Sequence, residues 1–181
     1  KVDVMKERIL AINPDCTVHA IEDFALPENV ADNIPQTLDS VIEATDSVKA
    51  KAAIIAHCKR NKIHIVTVGG AGGQLDPTLV TTSDLAKTTQ DPLAAKLRSL
   101  LRRDYGFSSN PQRRFGIPCV YSTEQLRYPQ PDGSVGFQKS VMDGSTRLDC
   151  TSGFGAITTV TSTFGMFAAS ITLKRLASGT R

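Results

Sequence analysis

No two of the four cysteines, Cys16, Cys58, Cys119 and Cys150, stand in a Cys-x-x-Cys pair, which excludes a zinc knuckle and a thioredoxin-like redox motif. A reduced, intracellular protein is the plain expectation. An initiator Met is also absent. The 181-residue chain opens at Lys1, and the stretch to Asn13 lacks the apolar run and small-residue cleavage site of a secretory signal. We expect a longer protein that has lost its beginning. Charge of one sign is scarce too, since 21 Lys and Arg against 18 Asp and Glu leave only +3. That surplus does not by itself demand a nucleic-acid partner. Internal repeats and low-complexity runs are missing, and 40% hydrophobic residues over this length suffice for one sizeable core.

What is present reads as alternating strands and helices. Met5, Ile9 and Ile12 recur at helical spacing and the pattern stops at Asn13-Pro14, because proline disfavours a helical residue before it. Thr17 to Ile21 reads as a short strand, and Ser40 to Thr45 as a second, whose adjacent Val41 and Ile42 suit a strand buried on both faces. Ser47 can cap a helix over Val48 to Arg60 that turns Ala52, Ile55 and Ala56 to a core. Ile63 to Val68 is the strongest strand, Pro77 to Thr82 another of undetermined direction, and Cys119 to Ser122 one returning to the sheet. Asp91-Pro92 starts a helix to about Arg103, with an acidic N-cap and proline at the first helical position. Tyr105 to Ile117 and the two prolines and three glycines between Tyr128 and Gly144 read as surface loops. This order predicts an α/β fold, a Rossmann-like open and mostly parallel sheet with flanking helices.

No charge falls between Cys150 and Leu173. About 20 apolar residues can span a bilayer, but Ser and Thr interrupt this run repeatedly. It reads as a buried or dimer-interface helix, with membrane association as the alternative.

Few residues stand out for chemistry. Asp46 follows a strand's carboxyl end, where ligands of open α/β sheets bind; it suits either a magnesium site beside a triphosphate or the start of the next helix. Lys1 has no local context and reads as a surface lysine. Gly69 to Gly73 permits close backbone approach, yet matches neither a P-loop nor a dinucleotide fingerprint. Between Lys96 and Arg114 six basic residues, Lys96, Arg98, Arg102, Arg103, Arg113 and Arg114, oppose a single Asp104. Beside Tyr105 and Phe107 they suit RNA phosphates and an unpaired base, or simply a solvated face. Cys119 and Cys150 have no His near them in sequence and read as buried thiols. His57 and His64 read as helix-surface or strand-end residues.

Longer strings are more specific. Ile42-Glu43-Ala44-Thr45-Asp46-Ser47-Val48-Lys49-Ala50-Lys51, Val66-Thr67-Val68-Gly69-Gly70-Ala71-Gly72-Gly73-Gln74-Leu75-Asp76-Pro77, Asp84-Leu85-Ala86-Lys87-Thr88-Thr89-Gln90-Asp91-Pro92-Leu93, Ser122-Thr123-Glu124-Gln125-Leu126-Arg127-Tyr128-Pro129-Gln130 and Asp149-Cys150-Thr151-Ser152-Gly153-Phe154-Gly155 together resemble the bacterial tRNA threonylcarbamoyladenosine dehydratase family. That family sits among the ThiF/MoeB-like relatives of ubiquitin-activating enzymes. The resemblance implies ATP-dependent cyclisation of threonylcarbamoyladenosine in tRNA through an acyl-adenylate, with ATP and Mg2+ as cofactors. It places Lys1 at the ATP phosphates, Asp46 at magnesium and ATP, and Ser47 beside the nucleotide. Arg102, Arg103, Arg113 and Arg114 are the candidate tRNA contacts.

The same resemblance implies a homodimer, a cytoplasmic location and, as one option, a sulfur-relay partner. It further implies that residues 1–181 are the larger carboxyl-terminal part of a single ThiF-like adenylating domain. The family's Gly-rich nucleotide loop, an acid after its second strand and an Asn/Arg segment belong before Lys1, so this chain alone is expected to be inactive. Absence of Cys-x-x-Cys fits the dehydratase branch better than the sulfur-carrier-activating one. Two other readings remain open: adenylation of a ubiquitin-like sulfur carrier's carboxyl terminus, and a non-catalytic tRNA or sulfur-relay partner.

Overall fold

The computed structural model describes residues 1–130, 132–138 and 155–179. Its centre is a four-stranded sheet in the order β1-β2-β4-β3, built from β1 (Ser40–Glu43), β2 (His64–Val68), β3 (Val80–Asp84) and β4 (Pro118–Ser122). β1, β2 and β4 run parallel, and β3 joins β4 antiparallel. The expected open, mostly parallel α/β sheet is therefore present. Sequence could not give the direction of β3; a 3-10 turn over Pro77–Leu79 takes the start of the expected Pro77–Thr82 strand, and the ladder begins at Val80, opposite Ser122.

Helix α3 (Val48–Arg60) crosses from β1 to β2. Ser47 Oγ accepts from Ala50 N–H at its start. At its end Lys62 takes φ of 58° while Ile63 N–H donates to Cys58 C=O, a Schellman-type stop that uses lysine where glycine is usual. Helix α4 (Pro92–Asp104) packs on α3. Together they cover one face of the sheet, burying Ile55, Cys58, Ile65, Leu97, Leu101 and Ile117. Truncating a leucine of this kind to alanine removes about 2–5 kcal/mol.

The opposite face holds α5 (Thr158–Ala177), which lays Val160, Phe164 and Ala168, four residues apart, on Val66, Val80 and Val120. The described part of the uncharged stretch is thus a helix packed on the sheet by one face, and among the described residues no helix is long and apolar enough to cross a membrane. A small hairpin, β5 (Tyr128–Pro129) with β6 (Val135–Gly136), occupies the expected surface excursion.

Two expectations fail. Thr17 to Ile21 carries no ladder bonds among the described residues; its side chains are mostly exposed, so water can satisfy its backbone groups without a neighbouring strand. Ile42 is 46% exposed, so the strand before Asp46 is not covered on both faces, and among the described residues β1 pairs with β2 alone. α1 (Val2–Ile12) ends at Asn13 as expected, yet buries none of its residues; α2 (Val30–Asn33) is a single turn that packs on α3.

Candidate functional site at the carboxyl ends of the strands

Because β1, β2 and β4 are parallel, their carboxyl ends bring three loops to one rim: 44–47, 69–76 and 123–127. Beneath the first two lies a buried charge pair. Glu43, opposite Thr67 in the ladder, accepts from Lys51 Nζ at 2.5 Å and from Thr67 Oγ1 at 2.6 Å, both through Oε2. Its Oε1 takes Thr45 N–H at 2.8 Å and Thr45 Oγ1 at 2.7 Å. Lys51 Nζ donates again to Val68 C=O at 2.9 Å. The two side chains are 0% and 1% exposed, a burial that charged groups tolerate only when paired and fully hydrogen-bonded.

The glycine loop is held from α4. Asp91 Oδ1 accepts from Ala94 N–H, the expected N-cap bond, while Oδ2 accepts from Gly70 N–H at 3.0 Å. A Cβ at Gly69 would collide with that Oδ2, so the close approach anticipated for the run is an approach to Asp91. Burial pushes the Asp91 carboxyl above its ordinary value, outweighing the N–H groups of Ala94, Gly70 and Leu93 and the charge of Lys51.

At the third loop Glu124 Oε2 accepts from Leu75 and Asp76 N–H at 2.9 and 2.8 Å, and Oε1 pairs with Arg127. Burial opposes ionisation of Glu124, but those N–H groups and the guanidinium win and lower its pKa. A cleft of about 550 Å³ opens beside it, lined by Gly73, Gln74, Arg127 and Ile157 among others. Gln74 Oε1 is buried without a hydrogen-bond partner among the described residues.

Against these committed carboxylates Asp46 is different. It is exposed, directly follows Thr45, and no hydrogen bond or ion pair engages its carboxylate among the described residues. Among them there is also no group of three His, Cys, Asp or Glu able to enclose a metal. A single free carboxylate suits magnesium nonetheless, since that ion usually takes one or two carboxylates and fills its remaining positions with water and phosphate oxygens. Ser47 is exposed beside it. Lys1 is exposed as the N-cap of α1, and no side-chain bond joins it to Asp46 or Ser47.

The basic segment is elsewhere. The loop 105–117 feeds the amino end of β4, so Arg102, Arg103, Arg113 and Arg114 lie at the other end of the sheet from Asp46, about 16 Å away along a five-residue strand. Arg102 lies over the Phe115 ring and donates to Ser108 C=O. Arg103 pairs with Asp104. Arg113 and Arg114 are exposed. Phe107 meets Phe115 edge-on at 4.9 Å and Tyr105 lies under Arg60, so neither ring is the free stacking platform the sequence suggested.

The remaining candidates are internal. Cys119 is 1% exposed with its thiol pushed up to about 12, and Cys58 to about 11, by burial in the first place; both are inert at neutral pH. Cys150 lies outside the described residues. His57 bonds Ile34 C=O and His64 bonds Ser40 Oγ. Sequence reasoning missed Glu43, Lys51, Asp91 as a clamp, and Glu124. A signal for Lys51 existed: it precedes Ile55 by four residues and Cys58 by seven, on the apolar stripe of α3.

Known proteins resemble this chain over nearly all of its length. The chain is 54% identical to the tRNA threonylcarbamoyladenosine dehydratase of Escherichia coli K12 over 176 residues, 97% of this chain and 66% of that protein. It is 51% identical to the dehydratase of the same name from Haemophilus influenzae, of which it covers 65%. The solved structure of TcdA (CsdL) superposes with a TM-score of 0.86 at 50% identity, covering 98% of this chain and 65% of that one. The Escherichia coli dehydratase in complex with ATP gives 0.81 at 47%, covering 98% and 63%. The chain thus spans slightly less than two thirds of these relatives. The ThiF family profile matches residues 1–180, and with the parallel sheet and its carboxyl rim in place the chain belongs to the ThiF family.

Proposed function

We propose that this chain is the larger carboxyl-terminal part of a ThiF-like adenylating domain that dehydrates threonylcarbamoyladenosine in tRNA at the expense of ATP. The observation that carries the reading is the contrast at the rim: Glu43, Asp91 and Glu124 are saturated by protein donors, Asp76 has one oxygen taken by Thr78, and among the described residues Asp46 presents a carboxylate that no hydrogen bond engages. The names of the relatives supply the substrate, and the ATP complex of one of them supplies the nucleotide.

The chemistry needs an activated carboxylate. A carboxylate oxygen of the threonyl group attacks the α-phosphorus of ATP, and the bond to pyrophosphate breaks. A nucleophile within the same side chain then attacks the acyl carbon, AMP departs, and the ring closes with a net loss of water. Holding both groups on one substrate supplies much of the rate of the second step. Asp46 would hold magnesium, which would supply charge neutralisation for the departing pyrophosphate; Ser47 would lie beside the nucleotide and Lys1 would contact the phosphates. The outer face of α5, which exposes Met166, Phe167, Leu173 and Leu176, is the surface we assign to a homodimer.

In the whole protein Asp46→Ala should lower pyrophosphate release at least about 100-fold while leaving tRNA affinity nearly unchanged. Normal turnover by that variant removes Asp46 from the reaction. A product assay with ATP, modified tRNA and a carrier protein separates the alternatives: an adenylated carrier without cyclic nucleoside favours sulfur-carrier activation, and no pyrophosphate at all favours a non-catalytic tRNA or sulfur-relay partner.

A further inference from the structure

We infer that Glu43 and Lys51 are positioning residues that aim Asp46 at the metal-bound nucleotide; this rests on the proposed role of Asp46. Stability does not explain the pair, because a buried ion pair is commonly no better than apolar residues of the same volume. Its connections point to a different role. One carboxylate oxygen of Glu43 is spent on Thr45, by both N–H and hydroxyl, and Thr45 is the residue immediately before Asp46. The other oxygen is fixed by Lys51 and Thr67.

Lys51 stands on the first turns of α3, downstream of Asp46, and also grips Val68 C=O, the last residue of β2 before the glycine loop. The turn 44–47 is thus tied at both ends to one buried charge centre. That centre also reaches the neighbouring loop, whose Gly70 is held by Asp91. An exposed acid in the loop after a strand would otherwise have only its own backbone to set its direction. Catalytic groups need placement to a fraction of an ångström, which a satisfied buried polar network provides.

The test is ATP binding by calorimetry on the whole protein, with Mg2+ and with EDTA. The informative quantity is the gain in affinity that Mg2+ brings. The charge-free pair Glu43→Gln with Lys51→Met should lose about tenfold of that gain, and Thr45→Val about fivefold, while affinity in EDTA stays within about twofold. Thr45→Ser, which keeps both bonds to Glu43, should restore it. If the double variant does not fold, the two Thr45 variants carry the test.

An undiminished Mg2+ gain in Thr45→Val, or equal losses with and without metal, overturns the positioning role. So does a wild-type protein with no Mg2+ gain. Failure of the dehydratase reading looks different: no pyrophosphate with modified tRNA, yet a Mg2+ gain that still depends on Thr45 and Glu43.

Discussion

At the carboxyl ends of β1, β2 and β4 the polar side chains are mainly carboxylates turned inward, each accepting from backbone N–H groups or a buried cation. At the amino ends cations turn outward, leaning on aromatic rings and carbonyls or standing in solvent, while Asp84 holds the loop into β4 by accepting from Phe115, Gly116 and Ile117 N–H. The difference follows from where donors are. Loops that leave strands toward helix starts expose N–H groups that a carboxylate can satisfy. Helices that end expose carbonyls, and arginine and lysine suit those. One end is therefore networked around an exposed acid, while the other carries an exposed basic surface on a loop that Asp84 holds.

The sharpest way to break this contrast is Lys51→Met alone. It leaves Glu43 charged and unpaired in the interior, and we expect a loss of about 3–5 kcal/mol in urea denaturation; a change near zero would mean that the carboxyl rim is no more tightly built than the amino one. Next comes Gly69→Ala. Its methyl group must displace the Asp91 carboxylate from Gly70, at about 1–3 kcal/mol. Wild-type stability for that variant would show the loop to be free of its clamp.

Two rim carboxylates also titrate in opposite senses. Asp91 has a raised pKa in the folded chain, so it stabilises fully below its unfolded value and loses that contribution as pH rises through its folded pKa. Glu124 has a lowered one, so its contribution is present above its unfolded value and disappears as pH falls through its folded pKa. Asp91→Asn should flatten the decline on the rising side and Glu124→Gln the loss on the acid side, both read from urea midpoints across the acid range. Slopes identical to wild type in both variants would contradict the two assignments. The smallest effect belongs to the amino end. Replacing Arg113 and Arg114 with alanine should reduce the salt slope of tRNA binding by about 0.7 for each phosphate that these side chains neutralise. An unaltered slope returns them to a solvated surface.

Much of the scaffold was legible in the order of residues. Ser47 and Asp91 cap the helices expected of them, because an oxygen-bearing side chain ahead of an apolar helical stripe has few other uses. α3 runs over the expected Val48–Arg60. The site was legible only in part. Asp46 could be singled out as a candidate by its place after a strand and Ser47 only by the resemblance, but Lys51 looked like one of several lysines on a helix, and Asp91 like a cap with a single function. Arg102 and Phe107 looked available for RNA because a sequence does not display the ring or carbonyl that occupies them.

By itself, then, the amino-acid sequence determined the helices, the parallel strands and the location of their loops, since caps, prolines and apolar spacing act over a few residues at most. Folding decided the rest: that β3 runs backward, that Glu43 meets Lys51 and Asp91 meets Gly70. Those outcomes depend on contacts between residues far apart along the backbone, and the burial that makes a charge informative exists only once the layers have closed over it.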